Sequence, residues 1–345
     1  MKNKKIIKKI KETAEKIGHQ VNLMEVCGTH TQAISRFGIR ELMPKNVTLI
    51  TGPGCPVCVT AQKDIDAIIS LALAGVPIAT YGDVLRVTGQ FGNLNEAREK
   101  GAKVFVVYSV EEALEIQKEY PELVFFGLGF DTTVPMTAYA IKKGLTVYST
   151  HKIFIPAMEA LLKMGEIKID GFIDPGHVSA IIGTEPYQSM KIPQVITGFS
   201  AEDVLAGILM LLLQIESGRI AIENEYVRVV KKNGNPKARR ISFDVFEIGD
   251  GLWRGSGNIP GSGLEIKKKY VKFDAKVKYK NILDKVDFSK SHEPVGCKCG
   301  EIIRGLKTPK QCPMFGKVCT PDNPTGPCMV SVEGGCNVEY RYNKK

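Results

Sequence analysis

Residues 47–74 read VTLITGPGCPVCVTAQKDIDAIISLALA. The run 47–51 is β-branched and apolar, Gly52-Pro53-Gly54 interrupts it, and 61–74 carries apolar residues at helical spacing. Strand, glycine turn and helix are the first half of a βαβ unit. The same order recurs on both sides of this stretch. Strands are predicted at 22–26, 47–51, 76–81, 104–108, 123–128, 145–148, 171–173 and 194–197, with helices at 61–74, 111–119, 156–164 and 202–217. Strands alternating with helices specify a parallel sheet in an α/β fold. Eight strands between residues 20 and 225 fit two sheets better than one. The expected body is two Rossmann-like parallel-sheet domains at 20–128 and 129–225, with interleaving of their segments left open. An amphipathic helix at 1–19 precedes them, with Ile6, Ile7, Ile10, Ala14 and Ile17 at helical spacing.

The pattern changes after residue 225. Runs 225–231 and 241–248 alternate like half-buried antiparallel strands around the turn-rich KNGNPKARR. GLWRGSGNIPGSGLEI then reads as a loop holding the only tryptophan, Trp253, and a Lys-rich stretch at 267–290 precedes a Cys-rich tail. Residues 226–345 are therefore expected as a loop-rich α+β domain whose small core gains from a metal staple.

Composition sets outer bounds. The chain has 345 residues and 37.9 kDa, with 43% hydrophobic and 24% charged residues, the profile of a globular protein. Its longest apolar run, 204–213, is half the length a membrane-spanning helix needs. MKNKKIIKKIKE lacks the apolar core of a secretory signal, so a cytoplasmic location without membrane contact is expected. The net charge of +10 sits at the two ends. Residues 1–11 hold six Lys and no acid, residues 226–345 hold 24 Lys and Arg against 12 acids, and the segment between them is acidic. No aromatic-interleaved basic stripe or nucleic-acid module accompanies this charge, which points to docking of an acidic protein and away from nucleic acid.

Chemistry concentrates in four loops at strand ends: EVCGTHT (25–31), GPGCPVC (52–58), GFDTT (129–133) and DPGHVS (174–179). Open α/β sheets bind ligands outside the carboxyl ends of their strands. The loops should converge on one cleft or two facing ones, offering Cys27, His30, Cys55, Cys58, Asp131, Asp174 and His177. At the head of a helix, Cys27 should be a low-pKa thiol, a nucleophile or a soft metal ligand, with His30 beside it. Cys55 and Cys58 form a C-x-x-C at a helix start, the pattern of a thiol–disulfide redox pair. His30 and His177 are candidates for proton transfer. Asp131 fits a helix cap or an anion-holding loop, and no G-x-x-x-x-G-K-[ST] phosphate loop is present.

Six of the nine cysteines, at 297, 299, 312, 319, 328 and 336, lie in the last 49 residues. Four thiolates suit an iron–sulfur cluster or an all-cysteine zinc site. Cys297, Cys312, Cys319 and Cys336 make one solution and Cys312, Cys319, Cys328 and Cys336 another, with His292 an outlying candidate.

Together the runs MEVCGTHT, GPGCPVC, GFDTT, PGHVS and CPMFGKVCTPDNPTGPCMVSVEGGC, in this order over most of the chain, resemble the HypD family of hydrogenase maturation proteins. Asp131 stands where the family usually has Glu. The resemblance implies two Rossmann-like domains and a C-terminal domain with a [4Fe–4S] cluster on Cys297, Cys312, Cys319 and Cys336, leaving Cys299 and Cys328 as a thiol pair like that of ferredoxin:thioredoxin reductase. It further implies a cytoplasmic scaffold that, with the small partner HypC, holds one iron on Cys27 while cyanide from HypE and carbon monoxide are added to form an Fe(CN)2CO unit. In that role Cys55/Cys58 and Cys299/Cys328 form a thiol relay. A free-standing iron–sulfur thiol–disulfide oxidoreductase is the alternative, and a zinc-bearing nucleic-acid-binding protein is a third.

Overall fold

A computed structural model describes residues 2–342. The strands are β1 (Val21–Glu25), β2 (Val47–Thr51), β3 (Ile78–Thr80), β4 (Val104–Val106), β5 (Val124–Gly127), β6 (Thr146–Ser149), β7 (Gly171–Pro175), β8 (Gln194–Thr197), β9 (Ile222–Asn224), β10 (Phe246–Trp253) and β11 (Gly257–Ile266). Two sheets are wholly parallel. The first has the order β2-β1-β7-β8-β9 and the second β4-β3-β5-β6, while β10 and β11 form a separate antiparallel pair. The α/β reading holds.

The chain starts the first sheet, leaves it after β2 to build the second, and returns with β7. The division expected at residue 128/129 therefore falls inside the second sheet, between β5 and β6. Sequence order does not show this, because the parallel partner of a strand is chosen by the crossover and by which apolar face it can cover. Strand β9, only Ile-Glu-Asn, was not predicted; it is a short sheet edge with no apolar run to mark it.

One apolar core lies between the sheets and runs from Met24, Val26 and Phe172 to Phe126, Phe154 and Trp253. A second joins the outer face of the first sheet to the helices Lys2–Ile17 and Ala201–Glu216, burying Ile10 and Ala14 as the N-terminal spacing requires. The third covers the outer face of the second sheet, where Phe125 and Val147 meet Val245, Phe246, Leu264 and Ile266.

Two expectations for the C-terminal third are corrected. The run 225–231 is a turn following β9, and 241–245 belongs to the helix Pro236–Val245. ISFDVFEI fits a period of two, but it also fits a helix that buries Ser242 and Val245, and the start signals decide between them. Asn235 accepts a hydrogen bond from the Ala238 N–H (3.0 Å) and Pro236 occupies the first turn. The stretch expected to be a loop is instead the β10–β11 hairpin, turning at Gly255 and Gly257 with φ of +74° and +73°. Its indole is buried, and Trp253 Nε1 donates to Ser262 Oγ (2.7 Å).

Candidate iron and thiol site

Strands β1 and β7 are neighbours, yet the helices that follow them pack on opposite faces of the sheet. Ala33 and Ile34 of Gly28–Arg36 join the outer core, whereas Val178 and Ile182 of Gly176–Ile182 join the inner one. This is a topological switch point, where the carboxyl ends of an open sheet leave a crevice. Cys27 follows β1 there, and His177 follows β7.

Cys27 is the residue before the helix Gly28–Arg36, in extended conformation, and its side chain makes no capping hydrogen bond, although the helix-start amides of Thr29 and His30 favour its thiolate. The expectation of a low pKa is nonetheless overturned. Burial first, and the Glu333 carboxyl next, push the thiol up to about 12 against those two amides. The Cys27 N–H donates to Glu25 Oε2 (3.1 Å), and Thr31 Oγ1 donates to Glu25 Oε1 (2.7 Å). Burial raises the Glu25 carboxyl to about 7, opposed by Thr31 and Arg40.

The GPGCPVC loop is laced to this turn. Gly52 N–H donates to Glu25 O (2.8 Å) and Gly28 N–H to Gly54 O (3.1 Å). A Cβ at Gly54 would lie within 2.6 Å of three backbone atoms of Cys27, so only glycine permits the approach. Cys55 caps the short helix Pro56–Val59, its sulfur accepting from the Cys58 N–H (3.2 Å), and the two cysteines are joined as a disulfide. Cys27 and the C-x-x-C pair are thus brought together as expected.

His30 lies beyond them, fully buried. Its Nε2 is 2.9 Å from Gly198 O and 2.8 Å from Thr197 Oγ1. A carbonyl only accepts, so the proton is on Nε2, and Nδ1 is a buried lone pair with no partner. Burial lowers this imidazole to about 4, which keeps it neutral. Phe199 stacks between His30 (4.6 Å) and the exposed His177 (4.0 Å), so the two histidines share one wall of the crevice. Asp174 is different: it is buried in the inner core with both carboxylate oxygens unpartnered, and burial raises its pKa.

The GFDTT loop does not join this crevice. Asp131 belongs to the second sheet and lines a separate apolar pocket with Val134, Ile153, Ile181, Arg239 and Phe243. It is not the helix cap either. Thr133 precedes the helix Val134–Lys142, and burial raises the Asp131 carboxyl to about 6.

Glu333 is the participant that sequence reasoning missed. It sits in SVEGGC, between cysteines, where nothing marks it as facing Cys27. In the fold a Cβ on Gly28 would fall 2.6 Å from Glu333 Cβ, and Thr29 Oγ1 donates to Glu333 Oε1 (3.1 Å). Gln32 Nε2 donates to Val332 O (2.7 Å), and Ser331 Oγ donates to Asp83 Oδ2 (2.9 Å) at the carboxyl end of β3. The tail therefore bridges the carboxyl ends of both sheets.

All six tail cysteines line one small closed space, together with Ile302, Met314, Phe315, Gly326 and Met329. Cys299 Sγ and Cys328 Sγ are 2.7 Å apart. Cys319 Sγ accepts from the Thr325 N–H (3.3 Å), and a Cβ at Gly326 would collide with Cys297 Sγ. No carboxylate or imidazole lines the space among the described residues, and His292 is exposed outside it. The all-sulfur lining in an apolar shell has the donor chemistry of an iron–sulfur cluster or thiolate zinc, and Gly326 leaves the Cys297 sulfur unobstructed, but among the described residues no three of these side chains are arranged to hold a single metal ion. The C-x-x-C helix Pro56–Val59 packs directly on the two helices that carry Cys299 and Cys328, Cys299–Ile303 and Pro327–Val330.

The chain matches a family model, HypD, described as the hydrogenase formation hypA family, over residues 1–343. It is 43% identical to a putative hydrogenase expression/formation protein of Methanocaldococcus jannaschii, over 99% of this chain and 97% of that protein. It is 42% identical to hydrogenase maturation factor HypD of Cupriavidus necator, covering 95% and 91% of the two chains. Against hydrogenase maturation factor HypD of Escherichia coli K12 the identity is 38%, covering 99% and 95%.

Proposed function

The chain belongs to the HypD family of hydrogenase formation proteins, and from that premise we propose that it is the scaffold on which the iron unit of a [NiFe]-hydrogenase acquires its diatomic ligands. The observation that carries this reading is the placement of Cys27: a half-buried sulfur at the switch-point crevice, laced to the loop of a C-x-x-C pair whose helix packs on the six-cysteine space.

Iron is the cargo, and Cys27 is its ligand from this chain, completed by a thiolate of a HypC-like partner. A thiol held near pKa 12 is a poor free nucleophile at neutral pH, whereas a bound metal ion displaces its proton outright. That favours the soft-ligand reading of Cys27 over the nucleophile reading. The helix-start amides of Thr29 and His30 favour a thiolate at Cys27, and neutral His30 adds no charge to the crevice. The exposed His177 and half-buried Phe199 are available to the docking partner.

Cyanide arrives as a thiocyanate on the C-terminal cysteine of a HypE-like donor, and its release is a two-electron step. The S–C bond breaks, the donor sulfur leaves as a thiol, and carbon leaves as cyanide to bind iron. The electrons come from the Cys55 and Cys58 thiols, whose sulfurs join as the disulfide and release the protons taken up by the products. Cys299 and Cys328 then reduce that disulfide again, a role supported by their mutual contact and by the packing of their helices on the C-x-x-C helix. A [4Fe–4S] cluster on Cys297, Cys312, Cys319 and Cys336 would supply single electrons to this pair.

The test is anaerobic co-expression with a HypC-like partner, followed by infrared spectroscopy of the complex. Cyanide and carbonyl bands are expected, and Cys27→Ala should abolish them while the brown cluster colour remains. Bands that survive Cys27→Ala would refute the ligand assignment. Disulfide turnover without any bands in the parent would favour the free-standing oxidoreductase.

A further inference from the structure

Arg254 is 3% exposed, yet no ion pair holds it among the described residues. Its Nη1 donates to Gln62 Oε1 (3.0 Å), while Nε and Nη2 have no hydrogen-bond partner. A guanidinium stays protonated even when buried, and leaving it unpaired in a protein interior costs several kcal/mol. Such a group persists where a negative charge comes and goes beside it.

The backbone of Arg254 lies between the two thiol pairs. The residue before it, Trp253, bridges Thr60, and the Arg254 N–H donates to Val59 O (2.9 Å), the residue after Cys58. The residue after it, Gly255, is pressed on the helix of Cys299, where a Cβ would fall 2.6 Å from the Gly300 Cα. Gln62, which holds the guanidinium, begins the helix that follows the C-x-x-C turn. Three consecutive residues of the hairpin tip thus form the strip between the two thiol pairs. The Glu293 carboxylate also approaches Gly300 where Gly255 does, but among the described residues it forms no ion pair with Arg254.

We propose that Arg254 is a positioning residue whose charge compensates the thiolate formed when the Cys55–Cys58 disulfide opens. This deepens the relay reading above and rests on it. In the step, a reductant thiolate attacks one sulfur of the disulfide, forming a mixed disulfide. The other sulfur leaves with the bonding electron pair as a thiolate. A second thiol of the reductant then closes its own disulfide and frees the remaining sulfur. Two electrons have entered, and protons follow from solvent. Within the chain the reductant is Cys299/Cys328; in vitro any dithiol or glutathione serves. A fixed positive charge in a dry wall stabilises the anionic leaving sulfur and the reduced state, and leaves the neutral disulfide unaffected.

The experiment equilibrates the full-length chain, anaerobically, in glutathione buffers of graded ratio. The oxidised fraction of Cys55/Cys58 is read by differential alkylation and peptide mass spectrometry. Arg254→Met should move the equilibrium at least tenfold toward the disulfide, about 30 mV lower for a two-electron couple. Arg254→Lys should stay within threefold of the parent. Should Arg254→Met fail to fold, Gln62→Leu, which frees the guanidinium from its anchor, should shift the equilibrium in the same direction by a smaller factor. An Arg254→Met protein that folds and titrates within threefold of the parent overturns the proposal, as does an unshifted Gln62→Leu protein. Failure of the iron-scaffold reading would show instead in the infrared bands and leave these ratios untouched.

Discussion

Gly54→Ala should be among the most damaging small substitutions in the chain, and the structure sets its size. The added Cβ would stand within 2.6 Å of the N, Cα and C atoms of Cys27. These are backbone atoms, which no rotamer change can move aside. Relief requires the GPGCPVC loop and the Cys27 turn to separate by about 1 Å, and overpacking of that kind costs about 1–3 kcal/mol. The same separation breaks the Gly28–Gly54 hydrogen bond, worth about 1 kcal/mol. The expected loss is therefore about 2–4 kcal/mol in urea unfolding. Alkylation of Cys27 by iodoacetamide should also accelerate severalfold, because the crevice opens at its sulfur. Gly82→Ala is the control. Its Cβ would meet only Val106 Cγ1 at 3.5 Å, an ordinary contact, so its stability should change by less than about 0.5 kcal/mol. A Gly54→Ala protein as stable as the Gly82→Ala control would refute the close approach of the two loops.

Other expectations follow from the same contacts. Cys312→Ala should bleach the brown absorbance of anaerobically purified protein and lower its iron content, and an unchanged spectrum would remove Cys312 from the ligand set. Glu333→Ala deletes the bond to Thr29 Oγ1, the cover over Gly28 and the carboxyl that raises the Cys27 thiol, so Cys27 alkylation should accelerate, and Glu333→Gln, which removes the charge but keeps the cover, should accelerate it less; equal rates in all three would deny Glu333 its place over Cys27. His151, held by Ser149 Oγ (3.0 Å) and Thr137 Oγ1 (3.2 Å), is lowered to about 3 by burial and then by Lys152 and Lys276. Its folded pKa lies below the unfolded value, so the unfolded chain binds the extra proton, and its stabilising contribution is complete above pH 6.5 and lost progressively toward pH 3. His151→Leu should be less stable than the parent at pH 7, and between pH 7 and pH 5 that gap should narrow by about 2 kcal/mol; a constant gap in paired urea titrations would mean that His151 is not held neutral.

Sequence reasoning located the individual elements well because their signals are local. The run 47–51, the glycine turn and the helix after it are read from periodicity and turn chemistry alone, and the structure places them at Val47–Thr51 and Gln62–Leu73. The adjacency of Cys27 to the Cys55–Cys58 pair was also legible, since both follow strands of one parallel sheet. The helix Pro236–Val245 was missed because its apolar spacing satisfies both periods, and a capping asparagine with a following proline decided it. Asp131 was grouped with the wrong cleft because a strand-end loop does not reveal which sheet its strand joins. The low pKa expected of Cys27 failed for a related reason. Helix-start amides are local, whereas the burial and the Glu333 carboxyl that outweigh them come from the far end of the chain.

The sequence by itself determined the strand–helix alternation, the positions of the thiol loops and the family, because hydrophobic period, turn residues and motif order are properties of neighbouring residues. Only the tertiary structure decided that β7–β9 return to the first sheet, that the six tail cysteines face one closed space, and that Glu333 and Arg254 reach the thiol sites. Those relations join residues from distant parts of the chain. They are set by which apolar faces can be covered together and by where a backbone without a side chain lets another pass, and neither condition exists until the chain has folded.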